Sequence, residues 1–404
     1  MKVIRIPLRA LALGVFALVV GGVSLAMPLL STAGRVPLTP AEQAVRTSVQ
    51  ALWQRLDDAA ATGDAAALPP LFDLQTAAGR ASLKHAQARL AFVQAWARAR
   101  GVRWLTPRVS VRTPAIRFQG QTEVRVTAII SEGWAYTYGG PAAGPATDFG
   151  IGREHYMTLE DTPTGWKIAQ DWFTDPLDQD TRIPGPAVPQ TPIPPAVRVV
   201  PSPRVPVAPT ISPRGYNRAG AVRYADTYCG AAPGCGNHGR YNPRFFDYNT
   251  DGGDCTNFVS QALNVGGGLV RNPTWTFDGR TGEGTAAWVK APALLGYLVD
   301  TGLARVIARG RYSQVAGSVG DLSPGDIIGY IEGGKVVHLA LVVGFDPHGY
   351  ALVDSHTADR YDVPWDIGWD RGASFILVHI TDGTRLRPAA APLLLPAPAT
   401  GCGA

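Results

Sequence analysis

Charge is scarce in this 404-residue chain: 17% of its residues are Asp, Glu, Lys or Arg, against 46% hydrophobic. So few charges exclude a highly charged disordered chain, and the apolar fraction is ample for buried cores. The net charge is +5, yet the stretches that read as folded carry no basic excess. Residues 41–182 hold 15 basic and 15 acidic residues, and residues 214–382 hold 14 and 17. The surplus sits at Lys2, Arg5 and Arg9, at Arg35, at Arg198 and Arg204, and at Arg385 and Arg387. A nucleic-acid-binding surface loses its main support, and no nucleic-acid partner is expected. Also missing are a His-Glu-x-x-His zinc pattern, a phosphate-binding glycine loop and a Gly-x-Ser-x-Gly elbow. No cofactor is expected.

Cysteine is sparse too, with four in all: Cys229, Cys235, Cys255 and Cys402. Cys229 and Cys235 bracket a small Gly/Ala/Pro loop and suit a disulfide outside the cell. Free thiols remain open there, as does a weak metal reading through His238, although two cysteines lack a four-ligand zinc set. Cys402 sits in a Gly/Ala/Pro tail.

The N-terminus points to the same compartment. Lys2, Arg5 and Arg9 precede an apolar run from Ala10 to Leu30, and Ser31, Thr32, Ala33 and Gly34 follow it. A positive arm, an apolar centre and a small-residue exit describe an export signal. At 21 residues the run is also long enough to span the ~30 Å of a bilayer core. Residues 1–33 are therefore a signal peptide or a membrane anchor, with possible attachment through residues 10–30. Either way the body of the protein is exported, secreted or held in the cell envelope.

Residues 184–213 contain eleven prolines and no acidic residue. Such a stretch forms an extended spacer, so residues 183–213 divide two domains. Residues 383–404 read as a loose tail. The first domain, residues 41–182, opens with an amphipathic helix over 41–58 (Val45, Val49, Leu52, Leu56) and a second over 81–100. Strand-like alternation follows over 108–112, 115–118, 122–130, 134–138, 155–159 and 166–172. Helices followed by antiparallel strands make an α+β layout with helices on one face of a curved sheet. That order resembles the nuclear-transport-factor-like cone fold, which implies a binding or positioning module. His155 and Asp171 read there as structural.

The second domain, residues 214–382, carries the chemistry. A short helix is expected over 216–228. Further on, Gly252-Gly253-Asp254-Cys255-Thr256-Asn257-Phe258-Val259-Ser260-Gln261 reads as a tight turn, an N-cap at Asp254 and a helix whose first turn holds Cys255. Unpaired amides and the helix dipole there favour a thiolate. Upstream, Asp247, Asn249 and Asp251 have the spacing of a calcium loop, but Phe258 stands where the closing Glu belongs. A polar loop feeding the nucleophile is the better reading, with no metal. After Leu322-Ser-Pro-Gly-Asp326, strands are expected over 327–331, 335–343 and 350–356. In the second, His338, Ala340 and Val342 share one face, and the nucleophile's helix is available to pack against it. In the third, Asp354 and His356 share one face. Trp275, Trp288, Trp365 and Trp369 line a cleft or pack a core.

The Cys255 decapeptide, Ser-Pro-Gly-Asp326, Val-Val-His338-Leu-Ala-Leu-Val-Val and Asp354-Ser-His356-Thr-Ala-Asp-Arg together resemble the putative amidase domain family over 215–380. The closing strands of the first domain, through Asp171-Trp-Phe-Thr-Asp-Pro, resemble those preceding the catalytic domain in such proteins. The resemblance implies a papain-like α+β domain related to NlpC-type cell-wall peptidases, with Cys255 as nucleophile and His338 as base. A third residue falls on Asp354, which would stabilise an imidazolium, or on His356, which would act as an orienting hydrogen-bond acceptor. The Cys255 amide and Tyr241 or Asn242 would form the oxyanion hole. The expected activity is cysteine-dependent hydrolysis of amide bonds in peptidoglycan or a related peptide. A non-catalytic wall- or ligand-binding protein and an acyltransferase are the alternatives.

Overall fold

The computed structural model describes residues 37–139, 144–173, 199–200, 215–249, 253–367 and 373–382. The expected export segment, most of the spacer and the tail lie outside them, as do Asp251, Trp369 and Cys402. No helix of the described residues is long and apolar enough to cross a membrane.

Caps set the limits of the first two helices. Helix α1 (Pro40–Thr62) starts at a capping box in which Thr39 and Glu42 each take the other's amide, and it stops at Gly63, with φ +79°. Helix α2 (Ala77–Arg100) starts at the Thr76 hydroxyl and stops at Gly101. Both run past the spans that apolar spacing alone predicts. Strands β1 (Val102–Trp104), β2 (Arg108–Gln119), β3 (Glu123–Tyr138), β4 (Thr147–Thr162) and β5 (Gly165–Phe173) follow. The stretches expected over 108–112 and 115–118 are one strand, with a register shift between Arg112 and Ala115. Those over 122–130 and 134–138 merge into β3. Val45, Val49 and Trp53 of α1 bury against Val124, Val126, Met157 and Leu159. This half is α+β, with both helices packed on an antiparallel sheet.

The second half is also α+β. It comprises β6 (Val199–Val200), α3 (Arg218–Tyr228), α4 (Cys255–Gln261), β7 (Phe277–Asp278), β8 (Glu283–Thr285), α5 (Ala286–Val289) and α6 (Ala291–Asp300). Then come β9 (Ala304–Arg311), α7 (Tyr312–Val315), β10 (Ile327–Glu332), β11 (Lys335–Phe345), β12 (Ala351–Ser355), β13 (Asp359–Pro364) and β14 (Ser374–Ile380). Alternation on β11 sorts its side chains between two cores. Leu339, Leu341 and Val343 pack with Phe258, Val259 and Leu263 of the α4 segment. Ala340 and Val342 pack with Ile328, Tyr330 and Trp365 on the other face.

The two halves share one sheet. Strand β13 pairs with β4, aligning Asp359 with Gly152 and Tyr361 with Gly150, and the order runs β1-β3-β4-β13-β12-β11-β10-β14-β9. Two glycines on β4 permit the approach of the loop after α3. A Cβ on Gly150 would lie 2.0 Å from the Pro233 carbonyl oxygen, and one on Gly152 would lie 2.6 Å from the Ala231 carbonyl carbon. Polar ties close the seam: the Trp96 indole donates to Asp366 at 2.9 Å, Arg100 pairs with Asp366, and Tyr136 and Tyr138 donate to Asp346 at 2.8 and 2.6 Å.

Candidate active site

Cys255 opens α4, and its thiol is free and 8% exposed. The position follows from hydrogen-bond alternation along β11. The Val342 amide donates to Asp326 on the β10 side, so the odd-numbered residues direct their amides to the opposite flank. Strand β12 covers that flank only from Leu341 onward. At Leu339 the flank is left to the Cys255 sulfur, which takes a hydrogen bond from the Leu339 backbone. The nucleophile candidate thus lies beside the residue that follows His338.

The imidazole of His338 is 3% exposed, on the face of β11 that also carries Ala340 and Val342. Its cross-strand partner is Tyr330, with ring centroids 5.4 Å apart. The expectation that the nucleophile's helix packs against this side chain is therefore corrected. Strand alternation gives α4 the leucine face, and His338 goes to the tyrosine face.

Asp254 also departs from expectation. It occupies the N-cap position, but its carboxylate caps no amide of α4. It accepts instead from the Tyr248 amide (2.9 Å), the Asn257 side chain (2.8 Å) and His356 Nδ1 (2.5 Å). His356 Nε2 donates to the Tyr228 carbonyl at 2.7 Å, and its ring is stacked between Tyr241 and Phe258 at 3.8 and 4.2 Å. A carboxylate and a carbonyl can only accept, so both ring nitrogens carry protons and His356 is an imidazolium. Burial opposes that charge; the Asp254 carboxylate outweighs it and raises the His356 pKa above the usual histidine value. His356 is a double donor, not the orienting acceptor expected of a third catalytic residue.

Asp354 is fully buried and aligned with Leu341, not with His338. It accepts from the Asp362 amide at 2.9 Å. Burial first, then the Asp226 carboxyl, pushes its pKa well above the carboxylate range. A buried carboxyl aligned with Leu341, its pKa raised beside another acid, is poorly placed to stabilise an imidazolium at His338, which corrects the role expected of it.

Both expected oxyanion donors are committed elsewhere. The Tyr241 hydroxyl donates to Asp359 at 2.5 Å and accepts from Asn249 at 2.9 Å. The Asn242 amide donates to the Tyr224 hydroxyl at 2.9 Å, and Tyr224 in turn donates to Gln261 at 2.6 Å. They brace the loop and α4. Burial, the largest influence, raises the Cys255 thiol above its ordinary pKa, and Asp254 raises it further; Leu339 and Thr256 pull the other way. That upward direction runs against the thiolate expected from helix position alone.

Several residues singled out for other reasons also find places. Cys229 and Cys235 form a disulfide with Cα atoms 5.5 Å apart, and the loop it closes is the one lying on Gly150 and Gly152. Asp247 accepts the Asn249 amide at 2.9 Å, and among the described residues no acidic, histidine or cysteine cluster forms a metal site. Trp275, Trp288 and Trp365 are core residues; the Trp288 indole donates to Asn257 at 2.8 Å. Sequence reasoning missed Thr357, whose hydroxyl takes the Asp254 amide at 2.7 Å and donates to Asn249 at 2.6 Å. It also missed Asp326, which ties Arg218, His379 and the Ser323 and Ile380 amides together. A polar residue closing a Ser-Pro-Gly-Asp turn was the available signal for Asp326.

The comparisons with known proteins bear on this half. An uncharacterized protein, YhbB, of Bacillus subtilis (strain 168) is 28% identical over 180 residues, 42% of this chain. The chain spans about half the length of that relative, 51%. Among solved structures, the intermembrane space region of the chloroplast protein ARC6 aligns with 34% of this chain and 98% of its own, at 16% identity and a TM-score of 0.25. Residues 215–378, the half that places Cys255 beside β11, match the family described as the putative amidase domain, which supports hydrolysis of amide bonds.

Proposed function

We propose that the protein is an exported cysteine hydrolase that cleaves amide bonds in peptidoglycan peptides or a related peptide. The observation that carries this reading is the Cys255 sulfur at the head of α4, held at the Leu339 amide next to His338. With the Cys255 pKa raised by burial, the thiol proton leaves during attack, taken by His338 as general base. This step requires the imidazole to leave the Tyr330 ring, 5.4 Å away between centroids, and approach the sulfur. The sulfur bonds to the scissile carbonyl carbon, and the oxygen takes negative charge facing the Cys255 amide. His338 returns the proton to the departing amine as the C–N bond breaks. Water, deprotonated by the same imidazole, then attacks the thioester and releases acid and thiol.

The Asp254–His356 pair supports the nucleophile without entering the reaction. It places a compensated carboxylate under α4, where a bare one would oppose thiolate formation. The basic arm and apolar run over residues 1–33, together with the Cys229–Cys235 disulfide, support action outside the cytoplasm.

The test is digestion of purified peptidoglycan by the full chain and by its Cys255→Ala and His338→Ala variants, read by mass spectrometry. The wild type is expected to release peptide fragments, with cleavage falling by at least ~1000-fold in either variant. The same fragments at the same rate from Cys255→Ala would end this reading.

A further inference from the structure

The corner between β12 and β13, residues 356–359, is anchored in the first half and grips the residue before Cys255. Ala358 is buried in a cluster with Trp96, Trp104, Tyr136 and Ile151 of the first half, and Asp359 aligns with Gly152 of β4. Between these anchors and His356 stands Thr357. Its hydroxyl accepts from the Asp254 amide at 2.7 Å and donates to the Asn249 side chain at 2.6 Å. Asn249 donates in turn to the Tyr241 hydroxyl at 2.9 Å.

The backbone at Thr357 is unfavourable for its side chain. Its φ is +55°, a left-handed conformation that β-branched residues rarely adopt and glycine adopts freely. A turn needing only that conformation is better served by glycine, so what the position uses is the hydroxyl. The hydroxyl completes the hold on Asp254, which is 1% exposed. The Asp254 carbonyl accepts from the Phe258 amide at 2.9 Å, and its carboxylate oxygens take Tyr248, Asn257 and His356. The amide is the remaining polar group, and Thr357 takes it. Held at every polar group, Asp254 sits at φ −111° and ψ 0°, a sparsely occupied backbone region. That ψ sets the plane of the Asp254–Cys255 peptide, and with it the direction of the Cys255 N–H.

Resting on the reading of Cys255 as nucleophile, we propose that Thr357 is a positioning residue. By holding the Asp254 amide it aims the Cys255 N–H and sulfur, and the first half keeps it in place through Ala358 and Asp359. The first half is thereby part of the catalytic unit.

The test compares the full chain with Thr357→Val, which keeps the shape and removes the hydroxyl, and with Thr357→Ser, which keeps the hydroxyl. On purified peptidoglycan, Thr357→Val is expected to lower kcat by at least ~30-fold with KM within about twofold, the mark of misplaced reacting groups. Thr357→Ser should recover kcat to within about fivefold of wild type. Iodoacetamide, read by mass spectrometry of the tryptic fragment containing Cys255, probes the sulfur without a substrate. Cys255 should react at least ~5-fold faster in Thr357→Val, because the turn that buries it loosens, and at close to the wild-type rate in Thr357→Ser. Asn249→Ala leaves Thr357 in place and frees its hydroxyl to turn from Asp254. It should move both readouts the same way by about threefold, and it decides the matter if Thr357→Val does not fold. Unchanged alkylation in a folded Thr357→Val, or an equal kcat loss in Thr357→Ser, would overturn the proposal. A wild type that leaves peptidoglycan intact would end the hydrolase reading instead, and alkylation alone would then judge Thr357.

Discussion

Each half of the molecule has an Asp–His pair whose imidazole is almost fully buried, and the two are finished differently. In the first half His155 Nδ1 lies 2.9 Å from Asp171, and its Nε2 has no hydrogen-bond partner among the described residues. In the second half His356 Nδ1 lies 2.5 Å from Asp254, Nε2 meets the Tyr228 carbonyl, and two aromatic rings clamp its faces. The lesson is that a buried histidine beside a carboxylate is defined by its second nitrogen. Engaged by an acceptor, as in His356, it fixes an imidazolium that works as a structural cation.

Removing each imidazole breaks this comparison most severely. His356→Ala leaves Asp254 buried without its counter-charge and should cost about 3–5 kcal/mol. His155→Ala removes a ring with one such contact and should cost nearer ~1–3 kcal/mol. Urea unfolding midpoints of the full chain measure both, and equal costs would erase the distinction. Opening the disulfide should come next. Cys229→Ser with Cys235→Ser frees a short loop, worth about 2 kcal/mol in chain entropy. Because Tyr228 precedes that loop and supplies the carbonyl for His356, protease cutting near 229–235 should rise together with the loss of stability.

Titration sharpens the contrast further. The His356 pKa is raised in the folded protein, so its stabilisation is complete below the unfolded value of ~6.5. It is lost as pH climbs from there through the folded value. Unfolding midpoints should fall over that window in the wild type and flatten in His356→Gln. A slope unchanged in His356→Gln would mean that His356 is neutral and that the two nitrogens have been assigned wrongly.

The sequence carried the α+β layout of both halves and the helix that begins at Cys255, because caps, alternation and turn residues are local signals. It could not reveal the joined sheet, since nothing local to Gly150 or Tyr361 announces that their strands pair. The site was legible as a set of residues and illegible as an arrangement. His338 and Leu339 were visible on opposite faces of one strand, but which face meets α4 depends on packing between elements far apart in the chain. Asp254 looked like a cap because it precedes a helix. Its true partner, His356, lies 102 residues away, and only folding shows that the carboxylate is drawn off the helix toward it.

The smallest effect separates bracing from catalysis at Tyr241. Its hydroxyl donates to Asp359, a carboxyl that burial lifts to about 6 even as His356 and Tyr241 draw it down. Its ring covers one face of His356. Tyr241→Phe keeps the ring and removes the hydroxyl, so it should cost about 1–2 kcal/mol of stability and shift the Asp359 titration upward. Turnover by the folded variant should stay within about threefold of wild type, because losing a true oxyanion donor costs ~100-fold or more. A loss of that larger size with the fold intact would return Tyr241 to the oxyanion hole. It would also mean that the wall of rings around His356 opens toward the substrate, and the second pair would then be as unfinished as the first.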